Sequence, residues 1–116
     1  AAGCDVLAHE NIEESLPLPA EFTGNGPLFM LRVRGESMTG AGIFDGDYVV
    51  VHSQATADPG DLVVAGIPGE EATVKELRFD GTTVVLVPAN PDFEEMQYPA
   101  DEVTVFGRVV TVLRRL

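Results

Sequence analysis

The segment ATVKELRFDGTTVVLV, residues 72–87, decides the class of fold. Its first half alternates with a period of two, which places Thr73, Lys75 and Leu77 on one face of a strand. The Asp-Gly pair at residues 80–81 suits the positive φ angles of a tight primed turn, and a Val-rich run follows it. The segment therefore predicts an antiparallel hairpin with Lys75 in the middle of its first strand.

The chain on both sides of this hairpin shows the same pattern of short strands separated by turns. Short runs rich in β-branched residues, broken by turn dipeptides, occupy residues 28–34, 48–52, 62–67 and 103–113, and Gly107 suggests a bulge in the last of them. Residues 36–44, with two glycines, suit a turn with one helical turn that Ser37 begins. The sequence predicts a mostly β, compact domain of short, largely antiparallel strands with little helix.

Residues 1–27 differ from this pattern. They contain acidic clusters and three prolines, Pro17, Pro19 and Pro27, which favour an extended or looping arm. We therefore expect an arm and connecting segment over residues 1–27 and a folded core over residues 28–116. A chain that begins Ala-Ala-Gly also looks like a piece of a longer protein.

Composition restricts the class of protein. A length of 116 residues suits one domain, and a net charge of −12, from 19 acidic and 7 basic residues, would repel a DNA phosphate backbone. The single cysteine, Cys4, excludes an internal disulfide. Neither an export signal nor a membrane-spanning apolar stretch is visible, so the expected location is a reducing cytoplasm.

Few side chains are available for catalysis. Lys75 is the only lysine, and Ser37 is one of three serines. A serine needs an adjacent base, and a lysine can serve only when burial lowers its pKa enough for it to lose its proton. Spacing alone also allows a solvent-facing Lys75 and a Ser37 that only caps a helical turn. His52 is a weaker candidate base, because no carboxylate partner that would orient it is evident.

Metal chemistry has little support in the sequence. Cys4, His9 and His52 show no ligand spacing, so we expect neither a metal nor another cofactor. The Asp45-Gly46-Asp47 segment lacks the rest of a calcium-binding loop and is interpreted as a turn.

Separate motifs carry the serine and the lysine, with the Asp-Gly-Asp turn between them. The segments are GESM at 35–38, IFDGDYVVV at 43–51, GDLVVA at 60–65, ATVKEL at 72–77, LVPANP at 86–91 and VFGRVV at 105–110. In this order they resemble the C-terminal domain of LexA-type repressors, a self-cleaving serine–lysine peptidase family related to UmuD and phage repressors. The resemblance spans essentially the whole chain.

The resemblance implies a role for each candidate residue. Ser37 would be the nucleophile and Lys75 its general base, with the backbone amides of Glu36 and Ser37 as the oxyanion hole. Ala2-Gly3 would be the scissile bond of a serine endopeptidase that cuts itself, so that substrate and catalyst are already tethered. Many relatives carry a proline soon after the scissile glycine, whereas this chain has none before Pro17.

The resemblance also implies partners. The protein would be an SOS-response transcriptional repressor that forms a homodimer through its C-terminal strand and cleaves itself when a RecA filament on single-stranded DNA stimulates it. Operator DNA would be bound by an N-terminal DNA-binding domain absent from this chain. That arrangement would reconcile an acidic domain with a DNA-binding function, and it involves no membrane.

Several alternatives stay open. A phage repressor would share the Ala-Gly bond, whereas a UmuD-like protein would carry cysteine before the glycine, and here Cys4 follows Gly3. A signal peptidase would show a membrane anchor or an apolar membrane-facing surface, and neither is visible. A non-catalytic dimerisation module of the same fold is the alternative from a different class, and replacement of Ser37 or Lys75 would distinguish it.

Overall fold

Nine β-strands form one sheet in the computed structural model, which describes residues 3–8, 15–69 and 72–116. The strands are β1 (Gly3–Ala8), β2 (Ser15–Pro19), β3 (Leu28–Arg32), β4 (Tyr48–Ser53), β5 (Leu62–Gly66), β6 (Thr73–Asp80), β7 (Thr83–Val87), β8 (Met96–Pro99) and β9 (Thr104–Leu113). Helix in these ranges is limited to α1 (Ala20–Thr23) and two 3-10 turns, Thr39–Ala41 and Ala100–Glu102. The predicted mostly β fold with little helix is confirmed. No helix in the described ranges has the length and apolar character needed to cross a membrane.

The strand order is β2-β1-β3-β4-β9-β5-β6-β7-β8, and the pairs are antiparallel except for parallel β1 and β3. Strand β9 lies at the centre, where residues 104–108 pair with β5 and residues 107–113 pair with β4. It therefore joins two halves of the sheet. In one half, the segment that carries Ser37 connects β3 to β4. The other half contains Lys75 on β6.

The predicted hairpin is confirmed as β6 and β7, which pair antiparallel. Its turn is shifted by one residue from the expected position. Asp80 ends β6 opposite Thr83, so the loop residues are Gly81 and Thr82, and only Gly81 has a positive φ, of 60°. A positive φ at the first loop residue alone is the pattern of a type II′ turn, which glycine favours.

The irregularity expected at Gly107 lies beside it. A register shift in the β5–β9 ladder leaves Phe106 unpaired, and a second shift in the β4–β9 ladder leaves Val110 unpaired. Gly107 itself is needed for close packing, because a Cβ there would lie 2.3 Å from the His52 carbonyl oxygen. The glycine lets β9 approach β4 while the two bulges change its direction.

Three strands have no counterpart in the sequence predictions. Strands β1 and β2 form an antiparallel pair within residues 3–19, and β1 continues the sheet by pairing with β3. Strand β8 contains only four residues and pairs with β7 at the other edge. Proline and acidic residues mask the strand pattern in these segments, since proline cannot donate to a ladder and is tolerated mainly at edges.

Two main apolar clusters pack against the sheet. One lies around the Ser37 segment and comprises Val33, Met38, Ile43, Val49, Val51 and Val64. The other lies among β5, β6 and β7 and comprises Val63, Ala65, Ile67, Leu77, Val84 and Leu86. The β-branched and aliphatic side chains that predict the strands thus also supply the core that fixes the strand faces.

Candidate active site

Ser37 lies in a turn between β3 and the 3-10 turn that starts at Thr39. Gly35 opens this turn with φ of 85°, and its N–H donates a hydrogen bond of 2.8 Å to Asp45 Oδ1. The next side chain, Met38, is only 2% exposed and packs in the core with Ile43. The turn is therefore held by a hydrogen bond on one side of a half-buried serine and by core packing on the other.

The loop that follows β7 holds the same turn from another side. The Ala89 N–H donates to the Ser37 carbonyl at 2.8 Å, and the Gly40 N–H donates to the Ala89 carbonyl at 2.6 Å. A Cβ on Gly40 would lie 2.5 Å from that carbonyl oxygen, so the contact requires glycine. Asn90 Nδ2 adds a hydrogen bond of 2.9 Å to the Glu36 carbonyl.

Lys75 reaches Ser37 from the middle of β6. Its side chain is 7% exposed, and Nζ lies 2.8 Å from Ser37 Oγ. The same Nζ donates to Thr73 Oγ1 at 2.8 Å and to the Val74 carbonyl at 3.1 Å. The predicted shared face of Thr73 and Lys75 is confirmed, and the alternative of a solvent-facing lysine is wrong. A hydroxyl and an amine at this distance can exchange a proton.

The remaining candidates are located elsewhere. His52 Nδ1 lies 2.8 Å from Gln54 Oε1, which is an amide rather than the carboxylate that a triad needs. Ala2 of the expected scissile bond lies outside the described residues, and Gly3 begins β1, where it pairs with Pro19. Within the part of the chain that is described, no group of three His, Cys, Asp or Glu side chains is arranged to hold a metal ion.

An ion pair between buried Asp47 and partly exposed Arg114 stabilises the loop between the serine and β4. Asp47 is 2% exposed and receives hydrogen bonds of 2.7 Å from both Nε and an Nη of Arg114. The guanidinium lowers the pKa of the Asp47 carboxyl against the opposing effect of burial, and the Phe44 N–H supports the same direction at 2.8 Å. Arg114 also donates to the Gly42 carbonyl and stacks over Phe44, 4.5 Å from its ring centre. This arrangement agrees with the interpretation of Asp45-Gly46-Asp47 as a turn.

A cleft of about 770 Å³ lies beside this ion pair, lined by Met30, Arg32, Phe44, Asp45, Gly46, Asp47, Tyr48, Leu113, Arg114 and Arg115. It includes neither Ser37 nor Lys75, so it is separate from the serine and lysine.

Sequence reasoning missed three contributors to this region: the Asp47–Arg114 pair, the Asn90 amide and the Thr73 hydroxyl. Only Thr73 had a usable signal, because it lies two residues before Lys75 on the same strand face.

Comparison with known families agrees with this geometry. The family model described as Peptidase S24-like matches residues 1–110. The chain belongs to this family. Its relatives include the LexA repressors of Corynebacterium jeikeium (strain K411), 53% identical over 116 residues, Frankia alni, 52% identical, and Mycobacterium ulcerans (strain Agy99), 50% identical. Each alignment covers 100% of this chain, which therefore corresponds to the S24-like domain of a LexA-type repressor.

The chain spans less than half the length of these relatives, namely 42% of the Corynebacterium jeikeium protein, 45% of the Frankia alni protein and 46% of the Mycobacterium ulcerans protein.

Proposed function

We propose that this S24-like domain is a self-cleaving serine endopeptidase in which Ser37 is the nucleophile and Lys75 the general base. The observation that carries the proposal is the 2.8 Å separation of Ser37 Oγ and Lys75 Nζ, with the lysine 7% exposed. Burial disfavours the charged form of an amine. A neutral Lys75 has a lone pair with which it can accept the serine proton at neutral to alkaline pH.

The proposed reaction uses these two side chains and the Ala2-Gly3 bond. Ser37 Oγ attacks the carbonyl carbon of Ala2 while Lys75 Nζ takes the hydroxyl proton, and the backbone amides of Glu36 and Ser37 stabilise the tetrahedral oxyanion. The Lys75 ammonium then donates its proton to the nitrogen of Gly3 as the peptide bond breaks. Water hydrolyses the resulting acyl-serine ester, with Lys75 again as the base. Thr73 orients Nζ by accepting one of its hydrogen bonds.

The test is mass spectrometry of the purified chain after incubation from neutral to alkaline pH, with Ser37→Ala and Lys75→Ala alongside. The proposal expects only the unmodified protein to lose its first two residues, at a rate that rises with pH toward the apparent pKa of Lys75. A rate that stays flat across this range, or cleavage in either variant, contradicts it. A non-catalytic dimerisation module would show no activity to lose.

The wider role proposed is that of an SOS-response repressor whose cleavage a RecA filament on single-stranded DNA accelerates, with operator DNA bound outside these residues. The support is the identity of about 50% to proteins named LexA repressors. Adding RecA and single-stranded DNA should accelerate cleavage of the wild type and have no effect on Ser37→Ala. Such stimulation acts by favouring the cleaving conformation rather than by supplying catalytic groups.

Dimerisation through β9 is the third part of the proposal. Residues 109–113 pair with β4 on one side, and their other edge has no strand partner among the described residues. Val112 in this segment is 37% exposed. An unpaired, apolar strand can pair with its own copy across a two-fold axis. Sedimentation analysis should find a dimer that Val112→Glu weakens, whereas Phe79→Glu, at the exposed end of β6, should leave it intact.

A further inference from the structure

The Asn90 side chain makes hydrogen bonds in two directions. Its Oδ1 accepts a hydrogen bond of 2.9 Å from the Asp92 N–H, which closes the turn after β7. This contact fixes the orientation of the amide, so that Nδ2 faces the serine turn. There Nδ2 donates to the Glu36 carbonyl at 2.9 Å and to Thr39 Oγ1 at 3.4 Å. Asn90 thus links the β7–β8 loop to the peptide that immediately precedes Ser37.

The Glu36–Ser37 peptide is therefore held by its carbonyl. Peptide bonds in the described residues are trans, so the Glu36 carbonyl and the Ser37 N–H lie in one plane and point in opposite directions. A donor that fixes the carbonyl also fixes the direction of the N–H. The Ser37 N–H is one of the two amides proposed to stabilise the oxyanion, and such donors act only when they are aimed before the charge develops.

Asn90 makes the shorter of the two hydrogen bonds to the Glu36 carbonyl. The Thr39 N–H lies 3.4 Å from the Glu36 carbonyl, a longer distance than the 2.9 Å of the Asn90 contact. The Ala89 N–H binds the Ser37 carbonyl, which belongs to the following peptide. Lys75 contacts the hydroxyl oxygen of Ser37 and not its main-chain peptide. Asn90 is thus the side chain that restrains the plane of the Glu36–Ser37 peptide.

We propose that Asn90 is a positioning residue for the peptidase reaction, which turns the Ser37 N–H toward the oxyanion by donating to the Glu36 carbonyl. The inference rests on the proposed function of Ser37 and Lys75. It assigns Asn90 to the stabilisation of the tetrahedral intermediate and not to proton transfer. Loss of its hydrogen bond should therefore lower the cleavage rate without moving the pH at which Lys75 becomes active.

The experiment compares first-order rates of self-cleavage of the full chain as a function of pH for wild type, Asn90→Ala, Asn90→Asp and Gln54→Ala. Asn90→Asp keeps the acceptor that closes the loop and loses the donor to Glu36, so it separates loop closure from positioning. Gln54→Ala is the matched control, because Gln54 Nε2 also donates to a main-chain carbonyl, that of Thr56, in a different turn.

Asn90→Ala should slow cleavage at the alkaline plateau by roughly 10- to 100-fold with an unchanged pH midpoint, less than the 10²- to 10³-fold that loss of an oxyanion donor costs. Asn90→Asp should be at least as slow, and Gln54→Ala should match wild type. Rescue by aspartate would assign Asn90 to loop closure and overturn the proposal, as would a wild-type rate or a shifted midpoint in Asn90→Ala.

The outcomes also separate this inference from the proposed function. If wild type does not cleave, or if Ser37→Ala does, both fail. If wild type cleaves, Ser37→Ala does not and the Asn90 variants match wild type, only the positioning role fails. Should Asn90→Ala not fold, Asn90→Asp decides alone, since a wild-type rate there overturns the proposal.

Discussion

Two buried ionisable side chains in this domain face opposite kinds of partner. Asp47, 2% exposed, lies against the Arg114 guanidinium, which donates to both of its carboxylate oxygens. Lys75, 7% exposed, donates hydrogen bonds to the hydroxyls of Ser37 and Thr73 and to the Val74 carbonyl. Burial is similar at the two positions, whereas the chemistry of the surroundings is different.

The comparison sets a structural charge at Asp47 beside the proposed general base at Lys75. An opposite charge at hydrogen-bonding distance stabilises the ionised form, and the pKa of Asp47 is accordingly lowered. The hydroxyl and carbonyl oxygens around Lys75 orient its amine by accepting hydrogen bonds from Nζ. The Asp47 site is therefore suited to keeping its charge, whereas the role proposed for Lys75 requires a group that gains and loses a proton during each reaction.

The largest effect is expected when Lys75 is replaced by a residue that keeps its charge permanently. An arginine cannot be deprotonated in a protein, so Lys75→Arg should lower the self-cleavage rate by about 10²- to 10⁴-fold. Mass spectrometry of the reaction products measures this rate. Arg78→Lys, on the same strand and exposed, should cleave like wild type. Activity close to wild type in Lys75→Arg would remove the distinction between the two sites.

The next effect is on stability. Asp47→Ala removes a buried carboxylate that accepts hydrogen bonds from Arg114 and from the Phe44 N–H, and it should lower Tm by about 5 °C or more, because the loss of hydrogen bonds to a charged group costs more than a surface change. Asp101→Ala is the control, since Asp101 is exposed and should change Tm by about 2 °C or less. Thermal unfolding followed by circular dichroism gives both values. Equal Tm values for the two variants would show that the ion pair does not hold the loop.

The lowered pKa of Asp47 predicts how stability depends on acid. Because the folded-state pKa lies below the ordinary value of 3.8 for an aspartate, the stabilisation is fully present above that value and is lost as pH falls through the folded-state pKa. The Tm difference between wild type and Asp47→Asn should therefore shrink by several degrees in that acidic window. Unfolding curves recorded from neutral to strongly acidic pH test this, and a difference that grows on acidification would contradict it.

The smallest effect concerns the ring beneath Arg114. Phe44→Leu removes the stacking contact at 4.5 Å and should lower Tm by about 1–4 °C. Phe79→Leu is a close match, because Phe79 is 48% exposed and Phe44 43% exposed. Calorimetry of the two variants compares them. If Phe79→Leu lowers Tm by the same amount as Phe44→Leu, the stacking contact contributes nothing beyond ordinary packing.

The elements that were predictable from the sequence are those whose signal is local. Alternation around Lys75 gave its strand and its face, and an Asp-Gly pair gave the hairpin to within one residue. The partners of these elements were not predictable, because periodicity shows which face is buried and not what meets it. Asn90 and Glu36 are 54 residues apart, and Asp47 and Arg114 are 67 apart. The pairing of Ser37 with Lys75 came from resemblance to a family and not from spacing.

The central position of β9 has a consequence for the timing of synthesis. The segments that carry Ser37 and Lys75 are both translated before β9, yet β4 and β5 are hydrogen-bonded to β9 and lie on either side of it. A nascent chain that has not yet released β9 from the ribosome lacks the strand that joins the two halves of the sheet. The serine and lysine can therefore reach their final separation only once β9 is available to join the two halves, so the proposed self-cleavage would begin only in a molecule whose β9 has folded.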